Sequence, residues 1–186
     1  MAVVFRRRTT PPTSLNKYYI KTTFGGFNRC MQIGADGSVL PNCVGYAWGR
    51  FCEEQNIQDC RLSRGNAENW YPRSDGYQRG QYPKLGAVIC WSDSSGDGHV
   101  AIVEKVYSNG DVLTSNSAYN GSRFYMKTLT RSSNYYMGRT YSFQGFIYPV
   151  LDFIDPDTPP VVETVTKSKF KWVLYARKFR NRHLTR

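Results

Sequence analysis

Apolar residues recur at helical spacing after Asn42: Val44, Ala47, Trp48 and Phe51 share one face of a segment that ends near Glu53-Glu54. Asn42 is a good N-cap, because its side chain can accept from the orphan N–H groups of the first turn. A shorter pattern over 63–72 predicts a second helix, with Trp70 inward and a stop before Pro72. The pattern then changes from helical to extended. Short apolar runs at 86–91, 99–107, 112–116, 124–129 and 144–148 read as strands, and Ser108-Asn109-Gly110-Asp111 reads as a hairpin turn. Helices first and an antiparallel sheet after them is α+β order, not alternating βαβ.

On either side of this body the patterning weakens. Residues 1–20 read as an N-terminal arm, with Arg6-Arg7-Arg8, Pro11-Pro12 and a docking segment at Tyr18-Tyr19-Ile20. Residues 21–149 form the expected domain, beginning with a turn-prone stretch around Gly25-Gly26 and Asp36-Gly37. Residues 150–166, with Asp155-Pro156-Asp157 and Pro159-Pro160, read as a linker, and 167–186 as a basic, aromatic tail. No apolar run is long enough to cross a membrane, and the first ten residues lack the apolar core of a signal peptide.

Charge sharpens that division. Of a net +11 over 186 residues, the last 20 carry eight basic residues and no acid, which leaves +3 on the rest. Aromatics at 15%, with 14 Tyr, suit a strand-rich domain. The five cysteines, at 30, 43, 52, 60 and 90, form no C-x-x-C pair, and two histidines are too few for a usual zinc site. An odd count leaves at least one thiol unpaired.

Cys43 falls in the first turn of the predicted helix, where the dipole and free N–H groups favour a thiolate. A thiol nucleophile needs a base, and the base needs a third group to orient it. His99 opens a strand that pairs through the hairpin with the strand ending at Asn116, so the two are neighbours by geometry. Taken alone, the same residues also fit a small core cysteine, a strand-edge histidine and a turn-forming asparagine. Trp70 and Trp91 fit either core packing or the walls of a groove, with core favoured by their apolar surroundings. Tyr119, in a loop beside Asn116, is the better groove candidate. Asn42 fits either helix capping or donation to an oxyanion beside the Cys43 N–H, two roles that compete.

Several segments together resemble the ordered motifs of CHAP domains, the cysteine, histidine-dependent amidohydrolases/peptidases. They are Asn42-Cys43-Val44-Gly45-Tyr46-Ala47-Trp48-Gly49-Arg50, Gly65-Asn66-Ala67-Glu68-Asn69-Trp70, Pro83-Lys84-Leu85-Gly86-Ala87-Val88-Ile89-Cys90-Trp91 and Gly98-His99-Val100-Ala101-Ile102-Val103-Glu104. Thr114-Ser115-Asn116-Ser117-Ala118-Tyr119-Asn120-Gly121 and Phe143-Gln144-Gly145-Phe146-Ile147-Tyr148 continue the likeness. The resemblance implies a papain-like CHAP fold, with N-terminal helices packed on an antiparallel sheet. It also implies cleavage of peptidoglycan amide bonds, with Cys43 as nucleophile, His99 as base and Asn116 as the third residue. Where some relatives carry a further Asn two residues on, this chain has Ala118.

Some relatives bind calcium just before the nucleophile, but residues 31–42 offer only Asp36, far short of the ligands calcium takes. No metal and no cofactor is expected. Either N-acetylmuramoyl-L-alanine amidase or endopeptidase chemistry fits, in a phage endolysin or a tail-associated lysin. Such a lysin would work from the virion, or from the host cytoplasm with release to the wall at lysis. The contrasting expectation is a catalytically silent scaffold that binds the wall or a phage tail. Residues 167–186 could meet anionic wall polymers, a membrane surface or phage tail proteins. Nucleic acid as the partner would leave the Cys–His motifs unexplained.

Overall fold

The computed structural model describes residues 3–28, 31–32, 37–138 and 140–158. Cys30, Asp36 and the tail at 167–186 lie outside them. Among the described residues the architecture is α+β, with one α-helix against a six-stranded antiparallel sheet. The helix, α1, spans Cys43–Glu54. Asn42 caps it, its side chain accepting from the Gly45 N–H at 3.1 Å. The chain reaches α1 through a small hairpin, β2 (Met31–Gln32) with β3 (Val39–Leu40).

Seven further strands follow. They are β4 (Arg79–Gly80), β5 (Val88–Ser92), β6 (Gly98–Val106), β7 (Val112–Ser117), β8 (Phe124–Leu129), β9 (Ser142–Ile147) and β10 (Phe153–Ile154). Six of these make the main sheet in the order β4-β9-β5-β6-β7-β8, and β10 pairs in parallel with β1 (Val3–Val4). No helix among the described residues is long and apolar enough to cross a membrane.

Both faces of the sheet are buried, and strand alternation sorts the side chains between them. Val88, Cys90, Val100 and Ile102 pack on Val44, Ala47, Trp48 and Phe51 of α1. Ile89, Trp91, Ala101 and Val103 turn the other way, against Tyr135 and Phe146. Trp70 and Trp91 are both fully buried, their indole N–H groups donating to Gly65 O (3.0 Å) and Tyr135 O (2.9 Å).

The second helix expected over 63–72 is a single 3₁₀ turn, Ala67–Asn69. Asn66 precedes the turn without capping it, and the carbonyls of Trp70 and Tyr71 are taken by Arg79 rather than by a following helical turn. Gly98 then lets β6 start directly against this turn, since a Cβ there would lie 2.3 Å from the Glu68 nitrogen.

The described residues of the expected arm (3–20) and linker (150–158) pack together on the body. Beyond the β1–β10 pair, the Arg7 guanidinium bonds Asp155 and Asp157 at 3.1 Å each, and Arg8 ion-pairs with Glu53. Beneath them, the Arg50 guanidinium is seated on the Glu104 carboxylate through Nε and Nη2, both at 2.9 Å.

Glu54, close by, differs from its neighbours: both its carboxylate oxygens are buried without a partner. Burial pushes this carboxyl well above its ordinary range, only partly opposed by Arg50. The folded state therefore holds it protonated while the unfolded chain ionises it, and stability falls as pH rises above about 4.5. Glu54→Gln is expected to raise the melting temperature at pH 7 by several degrees, with the gain shrinking toward pH 4.5. Thermal melts at the two pH values check this; a variant less stable than the parent at pH 7 would contradict it.

Candidate active site

The N-terminus of α1 is tied down from three sides. The Asn42 amide nitrogen donates to Gly26 O at 2.7 Å, and its backbone N–H donates to Asn28 Oδ1 at 2.5 Å. Ser117, at the end of β7, donates to Pro41 O at 2.5 Å. Gly121 allows the following loop to close in, because its φ of +69° suits glycine and a Cβ would lie 2.2 Å from Leu40 O. These contacts fix the first turn of α1, and with it Cys43, beside the start of β6.

Cys43 is half-buried and its thiol is free. Burial pushes the thiol up to about 11, although the nearby backbone N–H groups of Val100, Val44 and Cys43 itself pull the other way. The helix start alone favoured a thiolate; in the folded protein the loss of water outweighs it. The Val100 N–H contact also places the sulfur at the residue next to His99.

His99 is buried, its ring lying between Trp91 (centroids 5.7 Å apart) and Tyr141 (6.4 Å apart, stacked). Its Nε2 is 3.1 Å from Asn116 Oδ1. The Asn116 amide is oriented in turn, its Nδ2 donating to Thr114 Oγ1 at 2.9 Å and Thr114 O at 3.2 Å. Oδ1 can only accept, so the His99 proton sits on Nε2 and Nδ1 keeps its lone pair. Burial is the main force depressing His99 to about 4, against the raising effect of the Asn116 bond. At neutral pH both members of the pair are therefore uncharged, a thiol and a neutral imidazole.

Cys43 and His99 line a single cavity of about 460 Å³, with Asn42, Glu68, Asp97, Tyr119, Tyr125 and Tyr141 among its walls. Tyr119 is 84% exposed at its mouth. Asn42 also faces the cavity, but its oxygen caps α1 and its nitrogen holds Gly26. Trp70 and Trp91 belong to the core and not to this wall. Among the described residues no cluster of three or more His, Cys, Asp or Glu side chains could hold a metal ion.

Among the cavity residues that the sequence did not point to are Glu68, Asp97, Tyr125 and Tyr141. Tyr125 was within reach, because β8 pairs with β7 and sets Tyr125 across from Asn116. Tyr141 precedes β9 in a stretch with no periodic signal.

Among solved structures, the chain is similar to an N-acetylmuramoyl-L-alanine amidase from Staphylococcus aureus. The identity is 25% over 57% of this chain and 30% of that one, with a TM-score of 0.44, so the chain spans under a third of that protein's length. The family model of the CHAP domain matches residues 33–118, the segment that contains Cys43, His99 and Asn116. The match takes in a little under half of the 186 residues.

Proposed function

We propose that the protein is a peptidoglycan hydrolase that cuts amide bonds of the bacterial wall by thiol chemistry, on a papain-like arrangement. The observation that carries the reading is Cys43 and His99 on one open cavity, with Asn116 buried behind His99 and bonded to it, all three within the segment that matches the CHAP model. Because the resting pair is neutral, His99 Nδ1 takes the Cys43 proton as the sulfur attacks the carbonyl carbon. Charge then appears only within the reaction step. The Cys43 N–H, at the open end of α1, is placed to hold the oxyanion. The imidazolium so formed, steadied by Asn116, returns its proton to the leaving amine. Neutral His99 next activates water to release the acyl group from sulfur.

The role we assign is that of a phage lysin, acting as an endolysin or from the virion, with amidase or endopeptidase specificity. Its support is the match to the CHAP model and the expectation that residues 167–186 form a basic anchor for anionic polymers of the wall. Deletion from Lys167 onward should leave turnover of soluble wall fragments unchanged and weaken binding to intact walls. Incubation with purified peptidoglycan, followed by mass spectrometry of the fragments, tests the reaction. New termini at the muramoyl–L-alanine bond identify an amidase; new termini within the peptides identify an endopeptidase. Wall binding without any new termini would overturn catalysis and favour the silent scaffold.

Asn116 acts through His99 rather than on substrate, so its removal should cost less than loss of the nucleophile. Asn116→Ala is expected to lower kcat by about 10- to 100-fold, below the contribution of a direct acid–base group. An unchanged kcat would remove Asn116 from the site.

A further inference from the structure

The described cysteines other than Cys43 are buried and take no part in the cavity, yet two of them lie together. Cys52 is on the last turns of α1, and the chain folds back under the helix to bring up Cys60. The Cys60 Sγ reaches the carbonyl oxygen of Trp48 at 3.8 Å. A helical side chain lies over the turn N-terminal to its own Cα, so the Cys52 sulfur covers that same turn. The two thiols are neighbours, both unpaired and both enclosed by the core that holds Trp48, Phe51 and Leu62. Between them the loop turns sharply, with the Ile57 N–H on Cys52 O at 3.0 Å and Asn56 at a φ of +55°.

We propose that Cys52 and Cys60 are a disulfide-forming pair, closed by a small-molecule disulfide such as oxidised glutathione when the protein meets an oxidising medium. The exchange balances as two steps. One protein thiol, having lost its proton, attacks a glutathione sulfur and releases one glutathione thiolate. The second protein thiolate then attacks the mixed disulfide, forms the Cys52–Cys60 bond and releases the second glutathione. Both protons pass to the released thiolates, giving two reduced glutathiones. Because both sulfurs are sealed in the core, the exchange takes place during folding or when the 55–59 loop opens. Cys43 sits nine residues back along α1, about 13 Å away at 1.5 Å per residue, so this bond leaves it free. The pair thus sets aside two of the thiols that would otherwise compete with the nucleophile in oxidising surroundings.

Trypsin offers a direct readout, because Arg50 and Arg61 flank one peptide, 51–61, that holds both cysteines and no other basic residue. The full chain carrying Cys43→Ala is refolded in oxidised and reduced glutathione, blocked with iodoacetamide and digested. The expected result is peptide 51–61 about 2 Da lighter than its reduced form and unalkylated, with a melting temperature about 5–10 °C above that of the reduced protein. Cys60→Ala should abolish both changes, and Cys90→Ala should leave both in place. A doubly alkylated 51–61 peptide, or one carrying glutathione, would overturn the proposal. None of these readouts depends on wall hydrolysis, so they stand apart from the proposed activity.

Discussion

Cys43→Ser is expected to fold with the parent's melting temperature and to lose wall hydrolysis by on the order of 10³-fold or more. A serine hydroxyl fits the space, but it is a far weaker acid and nucleophile than the thiol it replaces. His99 is a weak base here, held down to about 4 by burial, and cannot take a proton from serine. The same burial predicts the pH dependence. His99 must be neutral to accept the thiol proton, so activity should be lost only as pH falls through about 4. Over the same range the unfolded chain protonates its histidine near 6.5 while the folded one does not. Stability therefore declines between about 6.5 and about 4. On the alkaline side, alkylation of Cys43 by iodoacetamide should quicken with pH until the thiol ionises near 11. An alkylation rate already level between pH 6 and 8 would mean a resting thiolate–imidazolium pair and would sink the neutral-pair mechanism. Cys43→Ser activity within tenfold of the parent would remove Cys43 as nucleophile.

How much of this was legible in the sequence depended on how local each cause was. The cap at Asn42 and the apolar face of α1 are set by residues within one or two turns, and they read out directly. So did the five main strands, whose alternation and turns are local. The missed β4 is two residues long and exists only through its pairing with β9, a partner some 65 residues away. The failed helix at 63–72 has the same origin, because the Arg64 carbonyl, which a helix would pair with the Glu68 N–H, is taken by the distant Gly26 N–H. In the site, Cys43 and His99 were visible as residue types in context. The Cys43 thiol was misjudged because the helix dipole is a local effect, whereas burial comes from the whole fold. The His99–Asn116 contact was inferred from a regular hairpin, and a regular hairpin would not have made it. From the turn outward, Val106 faces Val112 and Lys105 faces Leu113, but the next pairs are Val103 with Thr114 and Ile102 with Ser115. Glu104 is the extra residue. Without that bulge, Asn116 would sit across from Ile102, on the α1 face of the sheet. The one-residue shift moves it to the face of Ala101 and His99 and puts Ser115 under the helix.

Loss of Glu104 is accordingly the second large effect expected, this time on stability. Its carboxylate is wholly buried and fully bonded: to Arg50 Nε and Nη2 at 2.9 Å, to Ser115 Oγ at 2.7 Å and to the Arg8 N–H at 2.8 Å. Tyr46 extends the chain by donating to Ser115 Oγ at 2.8 Å. The bulged residue is thereby stitched to α1, to β7 and to the N-terminal segment at once. Burial opposes the Arg50 charge, but the facing Glu104 carboxylate holds it charged regardless. Removing the carboxylate alone leaves a guanidinium sealed away from water with only Glu53 and the Arg6 carbonyl for company. Breaking a buried pair on one side costs about 3–5 kcal/mol, a large part of the 5–15 kcal/mol typical of a whole domain. Glu104→Ala should therefore melt about 10 °C or more below the parent. What remains folded should show hydrolysis reduced at least to the level of Asn116→Ala, since the register that aligns Asn116 with His99 has lost its anchor. Arg50→Met with Glu104→Leu removes both charges together, so the double variant should recover much of the melting temperature lost by Glu104→Ala. It would not recover the activity, because the carboxylate that accepts from Ser115 and anchors the bulge is gone. A Glu104→Ala protein melting within about 2 °C of the parent would show that the bulge stands without its ion pair.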